Sequence, residues 1–157
     1  MPIRPFQKED IRPLTDILRA TQVFKEEEIA IAVELMEIVA EEEDQRDYVI
    51  YTMSDESDVV RGYYCGGPTP LTESTYDLYW IAVDPAVHGK GLGKELIRHC
   101  EEYVKSRGGT LIIAETSSQP KYEGTRMFYR RSHYLEESRI KDYYAPGDDL
   151  VVYTKHI

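Results

Sequence analysis

The sequence has few cysteines, no long apolar run and a shortage of positive charge. Its 157 residues include only Cys65 and Cys100, too few for the disulfide framework of a small secreted protein. No apolar run approaches the roughly 20 residues of a membrane span, and the N-terminal segment lacks the apolar core of a secretory signal. We therefore expect a cytoplasmic protein that makes no contact with membranes.

Positive charge is outnumbered, with 19 lysines and arginines against 29 aspartates and glutamates, for a formal net charge of −10. This balance disfavours a nucleic-acid partner, because phosphate contacts need a basic surface. It favours a cationic small molecule as a substrate.

Metal-ligand spacing is also absent. The histidines are His88, His99, His133 and His156, and none stands at a typical ligand spacing from another, so we predict no metal. Cys100 falls on the apolar side of a predicted helix, which indicates a buried thiol. No cysteine is placed for covalent catalysis.

The chain has the length of one domain, residues 1–157, since no repeat, linker or low-complexity tract interrupts it. Apolar periodicity and turn residues predict seven strands and four helices. The strands are expected at 3–6, 47–53, 59–67, 75–83, 110–116, 133–144 and 150–156, and the helices at 8–20, 26–42, 91–107 and 121–131. This order predicts an α/β (α+β) fold, a mixed sheet with helices on its faces.

The helix expected at 26–42 is apolar around more than one stripe. A broad packing face is the favoured interpretation. The alternative is a helix that packs against the core on one side and faces a partner element or ligand on the other.

The segment that points to a function is Asp84–Lys94, DPAVHGKGLGK, between a predicted strand and a predicted helix. It is not a Walker A loop, which would need glycine in place of His88 and serine or threonine in place of Glu95. It is not a dinucleotide-binding fingerprint either, because Lys94 and Leu96 occupy the positions of the third glycine.

What remains is a strand, a glycine turn and a helix that begins at Gly91. Unpaired amides and the helix dipole create positive potential at such a helix start, and glycines allow a ligand to approach the backbone. Lys90 and Lys94 add charge at the rim. The segment therefore predicts a phosphate or pyrophosphate site, with a ligand-free turn as the less favoured alternative.

The turn His88-Gly89-Lys90-Gly91-Leu92-Gly93 resembles the signature of the GNAT superfamily of acetyl-CoA-dependent N-acetyltransferases. That signature reads Arg or Gln, two residues, Gly, one residue, then Gly or Ala, and His88 departs from its first position. A second motif, Phe128-Tyr129 followed by Arg130–Tyr134, is similar to the family's aromatic-Tyr-x-x-x-Gly-Phe, with His133 where glycine is usual. The chain resembles a small single-domain member of the bacterial type.

The resemblance covers nearly the whole chain and implies the GNAT fold, a mostly antiparallel sheet of six or seven strands flanked by about four helices. It implies acetyl-CoA as co-substrate, with its pyrophosphate on the turn and its pantetheine arm between strands 75–83 and 110–116, which splay apart in the family. An amide near Val83 would stabilise the oxyanion. The implied cofactor-binding residues are Ile81, Ala82, Val83, His88, Gly89, Lys90, Gly91, Leu92, Gly93, Lys94 and Tyr129.

Three residues are candidates for catalysis. Asp77 is the first choice as base, at the position where the histone-acetylating branch of the family carries a glutamate, and Glu115 is the second. Tyr129 resembles the tyrosine that donates a proton to the CoA sulfur. The alternatives are an Asp77 bonded to a nearby hydroxyl or amide, a Glu115 that orients Arg126 or another cation, and an ordinary helix-face aromatic at Tyr129.

The acceptor side is predicted from position in the fold. Tyr143 and Tyr144 are similar to the late hairpin of GNAT members that acetylate protein N-termini, with a simple aromatic anchor as the alternative. Phe24 lies in the break between the first two helices. The predicted acceptor-binding residues are Phe24, Asp77, Tyr79, Glu115, Tyr143 and Tyr144.

The leading hypothesis is acetyl transfer from acetyl-CoA to a primary amine by direct attack in a ternary complex. The acceptor would be a small amine, an amino-acid derivative or a peptide N-terminus. The alternative is an inactive acyl-CoA-binding sensor or interaction domain. Many relatives are dimers, so a homodimer is compatible with the resemblance.

Overall fold

The computed structural model describes all 157 residues. Its strands are β1 Ile3–Pro5, β2 Val49–Ser54, β3 Val60–Pro68, β4 Thr75–Val83, β5 Leu111–Ser117, β6 Leu135–Ala145 and β7 Asp148–His156. Its helices are α1 Ile11–Ala20, α2 Glu26–Glu41, α3 Leu92–Ser106 and α4 Glu123–Arg131, with short 3₁₀ turns at Lys8–Asp10, Pro85–Val87 and Pro120–Tyr122. The predicted fold class, with seven strands and four helices, is confirmed.

The helices cover both faces of a single sheet with the strand order β1-β2-β3-β4-β5-β7-β6. Helices α1 and α2 pack on one face around a core of 10 buried residues, and α3 and α4 pack on the other around a core of 15. Tyr63 and Tyr64, neighbours in β3, point into opposite cores, as alternation along a strand requires. No helix combines the length and apolar character needed to cross a membrane.

The sheet has one parallel pair, and that pair is short. Strand β4 pairs with β5 only from Thr75 to Asp77, opposite Leu111–Ile113. Both strands continue beyond this point, β4 to Val83 and β5 to Ser117, but they no longer pair with each other. All the other neighbouring strands are antiparallel. A wedge therefore opens in the middle of the sheet.

A β-bulge lies where the wedge begins. Cys65 pairs with Trp80 and Gly66 pairs with Leu78, so Tyr79 is an extra residue in β4. A bulge bends its strand and increases the local twist. The bulge in β4 therefore accompanies its departure from β5.

Strand β3 runs through Gly66 and Gly67 and ends at Pro68, one residue beyond the predicted end. A Cβ on Gly67 would collide with the backbone oxygen of Asp47. Gly67 thus allows β3 to pack closely against the segment before β2.

The last strand pair begins later than the sequence indicates, because helix α4 ends in a left-handed residue. His133 has a φ of 69°, the conformation that glycine adopts most easily. The amide of Tyr134 then donates to the carbonyl oxygen of Tyr129 at 2.9 Å. This arrangement closes the helix in the manner of a glycine C-cap, so β6 begins at Leu135 instead of His133.

We expect His133→Gly to stabilise the protein by about 0.5–1 kcal/mol, because glycine removes the cost of a left-handed side chain while adding entropy to the unfolded chain. Urea denaturation measures the difference. His133→Ala is the control, since alanine removes the imidazole but keeps the strained conformation. Equal stability of the two variants would mean that the conformation is not the cause.

Candidate active site

The wedge between β4 and β5 opens into a cleft of about 470 Å³. The first residues of α2 form one wall and α4 forms the opposite one. The tip of the β6–β7 hairpin lies at its mouth. Six of the predicted site residues line this cleft, namely Phe24, Tyr79, Ile81, Glu115, Tyr129 and Tyr144.

Other predicted residues lie beside the cleft. Asp77 is the last β4 residue that pairs with β5, and its carboxylate accepts hydrogen bonds from Thr69 at 2.7 Å and from the Tyr79 hydroxyl at 3.3 Å. Tyr143 is exposed and packs edge-on against Tyr144, with 5.0 Å between the ring centroids. Ala82, Val83 and residues 88–94 are also outside the lining.

Glu115 presents a carboxylate to the cleft from β5. Partial burial raises the pKa of Glu115, and the negative charge of Asp77 raises it further. Glu115 forms no ion pair; Arg126, its expected partner, donates instead to the carbonyl oxygens of Ser117 and Gln119 at 2.7 and 2.9 Å. Glu115 is therefore a carboxyl group with a raised proton affinity and no cationic partner in the protein.

Tyr129 is buried in α4 yet lines the cleft. Its ring stacks on Tyr153 with 5.5 Å between centroids, and packing of this kind fixes the ring. No group in the protein accepts or donates a hydrogen bond at its hydroxyl. Burial raises the pKa of Tyr129, and the nearby Cys100 adds to the effect. The phenol thus keeps its proton at neutral pH and is available as a hydrogen-bond donor.

The glycine turn presents six consecutive backbone amides, from residue 89 to residue 94, that donate to no acceptor in the protein. Gly89 and Gly91 have φ angles of 80° and 72°, and Gly91 is the N-cap of α3. A Cβ on either would meet no atom within 4 Å, so the space over these amides is open. The turn has the donors and the access that an anionic group requires.

The turn is held on both sides. Before it, Asp84 accepts hydrogen bonds from the Ala86 amide at 3.0 Å and from Arg61 at 2.9 Å. After it, Gly93 lies so close to Phe128 that a Cβ would come within 3.0 Å of the ring. Because Phe128 and Tyr129 are adjacent in α4, this helix borders both the turn and the cleft.

Twelve of the 18 residues that line the cleft were not identified as site residues from the sequence, and four of them are Glu28, Trp80, Tyr122 and Asp148. The Phe24 ring packs edge-on against Trp80 and Tyr122, at centroid distances of 5.1 and 6.1 Å. The Tyr122 hydroxyl donates to Glu28 at 2.7 Å, and Asp148 accepts a hydrogen bond from Ser117. None of these four residues stands in a sequence motif that indicates a site.

Helix α2 packs against the core on one side and lines the cleft on another. Ile29, Ala32 and Met36 are buried in the core, whereas Ile31 is 56% exposed and lines the cleft. The alternative interpretation of a helix with a ligand-facing side therefore fits the geometry better than a packing face alone. No group of three or more histidine, cysteine, aspartate or glutamate side chains is arranged to hold a metal ion.

Comparison with known proteins places this geometry in a family. The profile of the acetyltransferase (GNAT) family matches residues 12–134. A crystal structure from Desulfovibrio desulfuricans, described as a GNAT-family acetyltransferase, is 36% identical, with a TM-score of 0.90 over 99% of this chain and 98% of the other. No curated protein sequence matches the chain.

More distant structures share the fold alone. An aminoglycoside 6'-N-acetyltransferase complexed with coenzyme A is 19% identical, with a TM-score of 0.77 over 99% of this chain and 97% of the other. The ribosomal-protein-S18-alanine N-acetyltransferase from Escherichia coli is 17% identical, with a TM-score of 0.75 over 99% and 93%. The family match, the 36% identical structure and the parted strands agree, and the chain belongs to the GNAT family of acetyltransferases.

Proposed function

We propose that the protein is an acetyl-CoA-dependent N-acetyltransferase that acts on a primary amine in a ternary complex. The main observation behind the proposal is that two features lie along the same opening between β4 and β5. A turn with six unpaired amides lies at one end of the parted strands, and a cleft with an unpaired carboxyl group lies at the other.

The residues of the turn fit a pyrophosphate. Their amides are unpaired donors, the positive end of α3 lies behind them, and the exposed Lys90 and Lys94 add charge. His88 replaces the usual arginine or glutamine, but it contributes none of the six amides. The anion-binding capacity of the turn therefore depends on the backbone, which the replacement leaves intact.

The free edge of β4 fits an extended amide-containing chain. From Leu78 to Val83, β4 pairs with β3 on one side and with no strand on the other. Backbone groups of Ile81 and Val83 on that edge can pair with the amides of a pantetheine arm, as an added strand does, whereas the Ala82 carbonyl oxygen points towards Gly62 in β3. When bound there, acetyl-CoA supplies the thioester that an amine attacks.

Glu115 is the better candidate for the base, although the sequence favoured Asp77. An ammonium group must lose a proton before its nitrogen is a nucleophile, and a carboxylate in the cleft can take that proton. Glu115 lines the cleft, whereas Asp77 lies outside the lining and one of its carboxylate oxygens accepts hydrogen bonds from Thr69 and Tyr79. Asp77 then acts through its charge, which raises the proton affinity of Glu115.

Tyr129 is suited to support the departing thiolate. Its hydroxyl lies in a buried ring held by Tyr153, has no partner in the protein, and stays protonated at neutral pH. A hydrogen bond from such a phenol stabilises negative charge that develops in the transition state.

We expect Gly91→Ala to raise the Kd for coenzyme A about tenfold or more, equivalent to about 1.4 kcal/mol, because a Cβ would stand in the space over the amides. Gly108→Ala is the matched control. Gly108 also has a positive φ, 83°, and open space around it, but it lies at the other end of α3. Calorimetry should give an unchanged Kd for this control, and equal weakening in both variants would contradict the assignment of the turn.

We expect Asp77→Asn to move the acidic limb of the kcat/KM profile to lower pH. Removing the charge of Asp77 lowers the pKa of Glu115, and a base of lower pKa is deprotonated at lower pH. Glu115→Gln should abolish the limb. If Asp77→Asn abolishes it instead and Glu115→Gln retains it, Asp77 is the base.

We expect the protein to release free thiol from acetyl-CoA in the presence of an amine, and Tyr129→Phe to lower kcat at least about tenfold with little change in acetyl-CoA affinity. Tyr153→Phe is the control, because it removes a buried, unpartnered hydroxyl from the adjoining ring. Coenzyme A binding without turnover on any amine would identify a non-catalytic binding module.

A further inference from the structure

The cleft contains more negative charge than proton transfer needs. Four carboxylates line it, those of Glu27, Glu28, Glu115 and Asp148. None of the four forms an ion pair with a lysine, an arginine or the N-terminus. Two lysines, Lys25 and Lys121, also border the cleft and leave an excess of negative charge. A cleft of this kind attracts cations.

Three of the four carboxylates, all except that of Glu27, fall into two groups. Glu115 lies on β5, close enough to Asp77 to be affected by its charge. Glu28 and Asp148 form a second group beside Tyr122, whose pKa is raised by burial and then by both of these acids. Glu28 is fixed by the Tyr122 hydroxyl at 2.7 Å and by the Lys25 amide at 3.0 Å.

Tyr144 lines the same cleft as both groups. Burial raises its pKa to about 12, and the charges of Glu115, Asp148 and Glu28 contribute to the rise. Part of the cleft lining is aromatic, because Phe24 packs against Trp80 and Tyr122 there. Aromatic faces suit both a short alkyl chain and an ammonium group.

An acceptor with a single positive charge would bring no cation to the second group, Glu28 and Asp148. The reacting nitrogen must be neutral when it attacks, so the proton that it loses is taken up at Glu115. That step does not compensate the charges of Glu28 and Asp148. A second cation on the acceptor would do so.

We propose, on the basis of the acetyltransferase function above, that the acceptor is a flexible small molecule with two or more ammonium groups. One amine reacts beside Glu115. Another is held by the carboxylates of Glu28 and Asp148, beside the aromatic ring of Tyr144. Glu28 and Asp148 are then residues that determine specificity.

Diaminobutane, butylamine and aminobutanol test this inference, since they share a chain length and a primary amine but only the first carries a second charge. With saturating acetyl-CoA and thiol detection, we expect kcat/KM for diaminobutane to exceed that for the other two at least about tenfold. Glu28→Gln should lower the diaminobutane value about five- to tenfold and leave butylamine unchanged.

Glu34→Gln is the matched control, because it removes the same charge from the same helix at a position outside the cleft. Equal kcat/KM for the three amines, or equal losses in Glu28→Gln and Glu34→Gln, would overturn the inference while leaving the acetyltransferase intact. A preference for a singly charged peptide N-terminus would overturn it too. No thiol release with any amine would instead remove the proposed function on which the inference rests.

Discussion

The separation of β4 from β5 is the constraint on which the rest of the molecule depends. Two neighbouring strands pair for three residues and then part, while each keeps its other partner. An unpaired strand edge inside a sheet leaves backbone donors and acceptors without partners, which is costly unless water or a ligand satisfies them. The fold thus builds a place for an extended ligand, with the bulge at Tyr79 marking where it begins.

The two ends of this opening differ in electrostatic character. At one end, the turn offers unpaired amides and two lysines, and at the other, the cleft offers carboxylates without cationic partners. Such a division suits a reaction that transfers a group from an anionic carrier to a cationic acceptor, because each partner is drawn to its own end. It also accounts for a glycine-rich, locally basic turn in a chain with a net charge of −10.

The fold and the turn could be predicted because their signals are local. Periodicity predicts the helices and strands to within a few residues, and the three glycines of the turn lie within five consecutive residues, 89–93. The acidic cleft could not be predicted, because the residues that form it are far apart in the chain and come together only in the folded protein. Glu28 and Tyr122, for example, are hydrogen-bonded although 94 positions separate them.

The direction in which each side chain points was the other property that the sequence could not predict. Tyr144 lines the cleft and Tyr143 does not, although both lie in the stretch of β6 between Ile140 and Ala145 that has no register with β7. A strand pattern without its partners gives no indication of which residue faces inward. Likewise, the bulge in β4 depends on its pairing with β3. His133 adopts a left-handed conformation that glycine would adopt more easily. Such features arise from packing, which overrides local preference.

The central claim is that the unpaired amides of residues 89–94 and the free edge of β4 hold coenzyme A. Two-dimensional nitrogen–proton NMR spectra of the labelled protein, titrated with coenzyme A, test it most directly. The account predicts that the amide signals of residues 89–94 and of residues in 78–83 shift together along one saturation curve. Saturable binding that leaves the signals of 89–94 unmoved would contradict it.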